Sequence, residues 1–164
     1  MVVLIIAVFA LLVSMLTFFL FNEERKKQKP KNISNNTQPL QLQAYERIVM
    51  LTERISISNL VSRVNQSGLS AREMHLLLLE TIKQEFEYNA SQQIYVSPVA
   101  WDAIKNLKEQ NMLIINQVAS TLPEGSTGLD LNKRLMEYVM TQKKGTMHTI
   151  VLEALNFEAK KIMK

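Results

Sequence analysis

The stretch SAREMHLLLLETIKQEFEY, residues 70–88, decides the fold that this sequence predicts. Ser70 and Glu73 have the spacing of a capping box, in which each side chain binds the backbone N–H of the other residue, so a helix should begin at residue 71. Apolar side chains follow at the helical period, and the crowded leucines 76–79 indicate burial on more than one side. The sequence therefore predicts a long central helix over 71–93. Its predicted core-facing residues are Met74, Leu77, Leu78, Ile82 and Phe86.

Five further helices are predicted around the central one, and the predicted fold class is all-α. Glycine and proline number only four each among the 164 residues, and much of the remainder consists of residues that favour helices. Ser58 is one predicted N-cap. Ser97 caps a helix with Pro98 at its first position, and Ser126 or Thr127 caps the next. The predicted ranges are 40–56, 58–65, 98–122, 127–142 and 147–163. The last helix is predicted to bury Ile150, Val151, Ala154, Leu155 and Ile162.

An apolar run, Val2–Phe21, precedes the helical part of the chain. At ~1.5 Å per residue a helix of this length extends ~30 Å, which is the thickness of a bilayer core. No basic residue precedes the run and bulky aromatic residues close it, so the sequence favours an uncleaved membrane anchor over a cleaved signal peptide. The predicted organisation is one transmembrane helix within 1–22, a basic segment and short polar linker over 23–39, and a bundle of about six helices over 40–164.

The predicted topology rests on a basic segment that follows the apolar run. By the positive-inside rule this segment places the N-terminus outside and the helical domain in the cytoplasm. The same charges could bind anionic lipid headgroups, although their role as a topology signal is sufficient to explain them. The basic residues are Arg25, Lys26, Lys27, Lys29 and Lys31.

Most of the net charge of +4 lies in this segment. Residues 23–31 carry five basic and two acidic side chains, which leaves a charge of +1 for the rest of the chain. Because the helical domain is close to neutral, no nucleic-acid partner is predicted.

Small and hydroxylated residues recur along one stripe of the predicted membrane helix. Such a stripe lets a second helix approach closely, which would indicate self-association or a membrane partner, although these residues also pack against lipid alone. The stripe consists of Ala7, Ala10, Ser14 and Thr17.

The sequence has few of the patterns that catalysis or metal binding requires. It contains no cysteine and only two histidines. His75 and His148 have no acidic or histidine neighbour at the helical spacing of a metal site and are interpreted as surface or boundary residues. Gly125 and Gly128 could belong to an anion site at a helix N-terminus, but helix capping explains them. No enzymatic activity, metal or cofactor is therefore predicted. Tyr95 and Trp101 are interpreted as aromatic residues that fix a helix–helix corner rather than as a ligand-stacking platform.

A polar cluster on the second half of the central helix is the candidate partner surface. The cluster has three interpretations: a docking surface, a general acid/base site, or a solvated face, which is the default. Glu80 and Glu87 lie two turns apart, which is too far for one carboxylate pair. The cluster consists of Glu80, Glu85, Glu87, Asn89, Gln92 and Gln93.

Three blocks of the sequence resemble those of a family of uncharacterised, short, single-pass membrane proteins from bacteria of the Bacteroidetes type. They are LQAYERIVMLTERISISNLVSRV (42–64), GLSAREMHLLLLETIKQEFEYNASQQIYVSPVAWDAIK (68–105) and STGLDLNKRLMEYV (126–139). As in that family, an apolar segment precedes them. The resemblance implies a location in a bacterial inner membrane. It implies no activity, cofactor or catalytic residue.

Three functional hypotheses from different classes follow from these features. An anchor, a linker and a helical domain are typical of a membrane-tethered interaction or scaffold protein, or an accessory subunit, that has a protein partner or forms a homo-oligomer. The basic segment and nine methionines favour the alternative, a helical module that binds anionic lipid or a small ligand, since methionine adapts to varied apolar surfaces. An enzyme built on the 80–93 face is the remaining hypothesis.

Overall fold

The computed structural model describes residues 14–20, 23, 33–141 and 146–163, and side chains from Thr37 onward in the first helix of the bundle. The chain divides into two units between Thr37 and Gln38. The described residues are helical apart from short connections, and they contain no β-strand, only an isolated antiparallel bridge between Ser70 and Thr127. The prediction of an all-α fold with a bundle of about six helices is confirmed.

Six α-helices and one short 3-10 helix follow one another in the described residues from Ile33 onward. They are α1 (Ile33–Ile55), α2 (Ile57–Val64), α3 (Ala71–Tyr88), a 3-10 helix (Ala90–Ile94), α4 (Pro98–Ser120), α5 (Gly128–Thr141) and α6 (Met147–Ile162).

The core lies around α3 and α4. Helix α3 packs against α4 and α5, and α4 packs in turn against α6. The prediction that the helix after Ser70 is central is therefore confirmed. The large side chains that are completely buried come from all six α-helices of the bundle: Ile48, Leu51, Ile55, Leu60, Met74, Leu78, Ile82, Ile104, Leu107, Ile115, Leu131, Leu135 and Leu155.

The start of α3 has the predicted capping box. The Ser70 hydroxyl accepts a hydrogen bond from the Glu73 N–H, and the Glu73 carboxylate accepts one from the Ser70 N–H at 2.9 Å. The Ser70 hydroxyl also donates to the Glu73 carboxylate at 2.7 Å. This hydrogen bond, and then that from the Ser70 N–H, lowers the pKa of Glu73. The local sequence thus satisfies the free N–H groups that begin the helix.

The start of α5 repeats this arrangement, with Thr127 as the capping residue. The Asp130 carboxylate accepts from the Thr127 N–H at 2.9 Å, and the Asp130 N–H donates to the Thr127 hydroxyl at 3.3 Å. The two helix starts are also joined by backbone hydrogen bonds from Ala71 N–H to the Ser126 carbonyl (2.9 Å) and from Gly128 N–H to the Leu69 carbonyl (2.8 Å). Because Asp130 occupies the Thr127 donors and the Leu69 carbonyl occupies the Gly128 N–H, helix capping accounts for the Gly125–Gly128 turn.

Three predicted helix boundaries were wrong. Helix α1 begins at Ile33 rather than 40 and contains Pro39, so the second half of the predicted linker is helical. The Gln38 side chain donates to the Ile162 carbonyl, and this contact with α6 supports the helix ahead of the proline. Tertiary contacts of this kind override the local proline signal.

The other two boundaries are set by side-chain hydrogen bonds to the backbone. The N-cap of α2 is Ser56 rather than Ser58, since the Ser56 hydroxyl donates to the Glu53 carbonyl at 2.8 Å and bends the chain there. Helix α3 ends at Tyr88 rather than 93, because the buried Asn89 side chain donates to the Glu85 carbonyl at 2.8 Å and a 3-10 helix follows. Polar side chains of this type compete with helix propagation.

Several residues predicted to be buried are exposed. Leu76 is 56% exposed and Ile150 is 60% exposed, and Ala154 is exposed as well. The reason is that each helix buries only the face that meets a neighbour. In α3 this face carries Leu78, and in α6 it carries Val151 and Leu155, all of which are buried.

A partly buried hydrogen-bond cluster joins α1, α4 and α6. The Glu158 carboxylate accepts hydrogen bonds from the Tyr45 hydroxyl and, at 2.6 Å, from the Ser97 hydroxyl. Ser97 also caps α4, since its hydroxyl accepts from the Ala100 N–H at 3.0 Å, which confirms the predicted N-cap. Burial, and then the hydrogen bond to Glu158, raises the pKa of Tyr45.

The predicted membrane span lies largely outside the described residues. Residues 14–20 are helical, and the Thr17 hydroxyl donates to the Ser14 carbonyl at 2.9 Å. In the part of the chain that the structure describes, no helix is both long and apolar enough to cross a membrane. Ala7, Ala10 and the predicted basic residues Arg25, Lys26, Lys27, Lys29 and Lys31 lie outside the described residues.

Candidate functional site: a groove between α1 and α3

The six residues of the predicted partner surface do not form one patch. Glu85 and Asn89 line a groove between α1 and α3, whereas Glu80 lies in a separate shallow depression beside Lys83. Glu87 and Gln93 are exposed, and Gln92 is partly buried. The predicted surface is therefore divided, because its residues lie on different faces of α3 and because a 3-10 helix replaces the last predicted turn.

The groove is open and has a volume of about 730 Å³. Its walls combine charged, amide and apolar side chains from two adjacent helices. From α1 come Gln43, Glu46, Arg47, Met50, Leu51 and Arg54, and from α3 and its C-cap come Thr81, Gln84, Glu85, Tyr88 and Asn89.

Two large apolar side chains of the groove are exposed to solvent. Met50 is 55% exposed and Tyr88 is 77% exposed, while Leu51 beside them is completely buried. Exposed aromatic and methionine side chains at the border of a groove are enriched where proteins bind other proteins. The groove therefore has the composition of a protein-binding surface.

The charged part of the groove is an ion cluster in which two arginines bind one carboxylate. Arg54 binds Glu85 through two hydrogen bonds, from Nε to Oε2 at 2.8 Å and from Nη2 to Oε1 at 2.6 Å. Arg63 of α2 binds the same Oε1 at 3.1 Å and also donates to the Arg54 carbonyl at 3.0 Å. The cluster carries a net positive charge and fixes the C-terminal end of α1 against α3.

The cluster makes stability depend on pH. The hydrogen bonds from Arg54, supported by Arg63 and opposed by partial burial, lower the pKa of Glu85. A carboxylate whose pKa is lower in the folded state contributes stability above its unfolded-state pKa of ~4.3, and this contribution is lost as the pH falls through the folded-state value. The contribution should be about 1 kcal/mol, because Arg54 is half exposed and solvent weakens the pair.

We expect Glu85→Gln to lower the free energy of unfolding by about 1 kcal/mol at neutral pH and to have little effect at acidic pH. Urea unfolding of both proteins over a pH series measures this. Glu87→Gln, an exposed change two residues away, is the control and should have no such pH dependence. A difference between wild type and Glu85→Gln that stays constant down to pH values below the folded-state pKa would contradict the assignment.

Sequence reasoning missed the α1 wall of this groove. Arg47, Met50 and Arg54 follow one another at spacings of three and four, so they share a face of α1, and this spacing was the available signal. Their partner Glu85 lies 31 residues from Arg54, and no local pattern connects the two. The pairing of α1 with α3 therefore had to come from the structure.

The two histidines and the aromatic corner agree with the structural interpretations made from sequence. His75 lies with Nε2 2.6 Å from Asn116 Oδ1, and both histidines are partly buried. Trp101 is buried and its ring centroid lies 5.1 Å from that of Phe86, so it fixes the α3–α4 corner. Among the described residues no three His, Cys, Asp or Glu side chains are grouped so that they could hold a metal ion.

Together these features define an all-helical protein with an open, partly apolar groove. The chain belongs to a family of unknown function (DUF7935), whose model matches residues 1–162 and thus includes the apolar N-terminal run as well as the helical bundle. Comparisons with curated proteins and with solved structures find no match.

Proposed function

We propose that this protein is a membrane-anchored helical interaction protein, a scaffold or accessory subunit whose α1/α3 groove binds a protein partner. The anchor is the apolar run Val2–Phe21, and the helical bundle lies on the cytoplasmic side of a bacterial inner membrane. The observation that carries the proposal is the exposure of apolar side chains in residues 14–20. Met15, Leu16, Phe18, Phe19 and Leu20 are each 54% to 68% exposed.

These exposed side chains point to a lipid environment. They lie within two turns of helix and cover more than half of its circumference, with Ser14 and Thr17 on the remaining face. A helix with so wide an exposed apolar face is stable in lipid or inside a larger assembly. The family model supports treating this run as part of the protein, because the match begins at residue 1. The basic residues that follow it favour a cytoplasmic bundle.

The groove supports a specific class of partner. An amphipathic helix can place its apolar residues against Met50 and Tyr88. The α1 wall presents Arg47 and Arg54, which favour a partner with an acidic residue beside its apolar stripe. We therefore propose an amphipathic helix of another protein at the same membrane as the partner, with a second copy of this chain as the alternative.

The proposal predicts the result of crosslinking and mild-detergent purification of the tagged full-length protein from native membranes. Wild type should recover a reproducible partner. The double variant Met50→Ser/Tyr88→Ser should recover about tenfold less of it or lower, because interface aromatic residues often contribute 2 kcal/mol or more to binding. Equal recovery by wild type and the groove variant would contradict the groove, and recovery of wild type alone and monomeric would contradict the interaction function.

Two further proteins complete the experiment. Leu129→Ser is the matched control, since Leu129 is 68% exposed but lies on α5 away from the groove, and it should recover the partner as wild type does. A version that lacks Val2–Phe21 should be absent from the membrane fraction and should remain in the supernatant after ultracentrifugation. If this version remains membrane-bound after alkaline extraction, the proposed anchor is wrong.

The alternative is a helical module that binds anionic lipid or a small ligand. Its lipid form rests on the basic segment 23–31 and predicts that the version without Val2–Phe21 binds anionic vesicles in preference to neutral ones. Its small-ligand form is supported by a second cavity, to which the end of α1 contributes Glu53.

A further inference from the structure

A compact cavity lies where α1, α2, α4, α5 and α6 meet, separate from the groove. Its volume is about 270 Å³, close to the lower limit for small-molecule sites, which is about 300 Å³. Its lining comes from the end of α1, the first turn of α2, the middle of α4, the end of α5 and the first turn of α6. Five elements thus contribute to one partly open cavity, as is common for ligand sites between helices.

The cavity has an apolar interior. Leu107 is 1% exposed, Ile57 is 6% exposed and Ile114 is 9% exposed. Val139 and Met147 extend the apolar lining and pack against the core while remaining partly accessible. These side chains can contact a hydrocarbon or aromatic group of a few atoms.

A buried amide lies on the wall among these apolar residues. Asn111 is only 6% exposed and its Nδ2 donates to the Ile55 carbonyl at 2.8 Å, which ties α4 to the last turn of α1. One N–H of the amide is thus committed to the backbone, and the amide oxygen remains as the acceptor of this side chain. The Asn111 side chain is thus held in place by the fold and lines the cavity.

An acidic residue and an imidazole lie next to each other at the same cavity. His148 Nε2 is 3.2 Å from Glu53 Oε2, yet it is buried and makes no hydrogen bond to any described atom. The distance between the nitrogen and the carboxylate oxygen is short enough for an ion pair, but the two groups are not aligned for a hydrogen bond. We therefore treat the nitrogen as unsatisfied, since a hydrogen bond requires alignment as well as a short distance. Buried unsatisfied nitrogen atoms are rare in native proteins, and one that lines a cavity points to a ligand or water there.

The charge of the lining selects the sign of the ligand. Among the described residues that line the cavity, Glu53 is the one acidic side chain, and no lysine or arginine is among them. Asn59 Nδ2 donates to the Glu53 carboxylate at 3.1 Å and orients it. A carboxylate beside an imidazole nitrogen and an amide oxygen offers acceptors, so it suits a group with several N–H donors and a positive charge.

We propose that this cavity binds a small primary ammonium compound with a short apolar body. The ammonium group donates to the Glu53 carboxylate and to His148 Nε2, and the apolar body lies against Leu107 and Ile114. This inference goes beyond the proposed interaction function and does not depend on it. The ligand is defined by chemistry: one compact cation of the amine type, attached to an aliphatic or aromatic group of a few carbons.

The two histidines of the chain make this site directly observable. His148 lines the cavity, whereas His75 lies beside Asn116 in a different depression. In the full-length protein labelled at histidine, two imidazole NMR signals can be followed separately, and a His148→Gln variant assigns them. We expect benzylammonium to shift the His148 signal saturably, with a dissociation constant on the order of millimolar for a ligand of this size, and to leave His75 unchanged.

Neutral and anionic probes of the same shape test the role of charge. Benzyl alcohol and benzoate should shift His148 at least about tenfold more weakly than benzylammonium, because they lack the cation that pairs with Glu53. Glu53→Gln should lose the preference for benzylammonium over benzyl alcohol. Glu153→Gln, an exposed change on α6 outside the cavity lining, removes the same charge and should retain the preference.

Each other outcome overturns the proposal. Equal responses to the three probes would mean that the cavity does not select a cation, and equal shifts at His75 and His148 would mean non-specific association. No shift at tens of millimolar benzylammonium would mean that the cavity is not a site for this class of ligand. The groove variant Met50→Ser/Tyr88→Ser should bind benzylammonium as wild type does, so failure of this experiment and failure of the interaction function remain distinguishable.

Discussion

Leu78→Ala should lower the free energy of unfolding by about 3 kcal/mol, within the 2 to 5 kcal/mol range of Leu→Ala changes in protein cores. Leu78 is completely buried on α3, the helix that packs against both α4 and α5. Truncation loses the free energy gained by transferring the removed carbons out of water. It also leaves a cavity among three packed helices, which cannot shift enough to fill it. Domains are typically stable by only 5 to 15 kcal/mol, so the loss is a large part of the total.

The chain provides its own probe and control for this experiment. Trp101 is the only tryptophan, and it is buried with its ring near Phe86, so its fluorescence reports the α3–α4 contact during urea unfolding. Leu76→Ala is the matched control, because Leu76 is the same residue type on the same helix but is 56% exposed. It should change the free energy by about 0.5 kcal/mol or less. Similar losses for the two variants would show that α3 does not bury the face assigned to it.

The sequence predicted those features that local hydrogen bonding specifies. The capping box of Ser70 and Glu73 and the N-cap Ser97 each depend on residues within three positions, so a short pattern identifies them. The all-α class followed from the helical period of the apolar residues. These are also the features that the structure reproduces.

The features that sequence reasoning missed depend on contacts between distant residues. Arg54 and Glu85 are 31 positions apart, and Tyr45 and Glu158 are 113 positions apart. Which face of α6 is buried depends on where α4 lies, so Ile150 was misassigned to the core. A single sequence contains the helices but not the pairing between them, and the groove and the cavity arise from that pairing.

Gly128 is a second position where close packing requires the native residue, although the neighbouring sequence does not indicate it. It lies buried at the first position of α5, and its N–H donates to the Leu69 carbonyl at 2.8 Å. A Cβ atom at this position would lie 3.0 Å from Met74 Cβ and 3.2 Å from the Leu69 carbonyl oxygen. Both are close to the main chain, so neither can move without shifting the backbone that joins the starts of α3 and α5.

We therefore expect Gly128→Val to lower the free energy of unfolding by about 3 kcal/mol, at the upper end of the usual cost of overpacking. Gly128→Ala should cause a smaller loss but still destabilise the protein. Gly125→Ala is the comparison, since a Cβ there meets no atom within 4 Å but the backbone has φ +82°, and the left-handed conformation alone costs about 1 to 2 kcal/mol. Asparagine tolerates that conformation, so Gly125→Asn should recover stability relative to Gly125→Ala, whereas Gly128→Asn should be as harmful as Gly128→Ala or more. Urea unfolding followed by Trp101 fluorescence measures all five variants. If asparagine were better tolerated than alanine at Gly128, backbone conformation rather than the close approach of α3 and α5 would be the reason for glycine there.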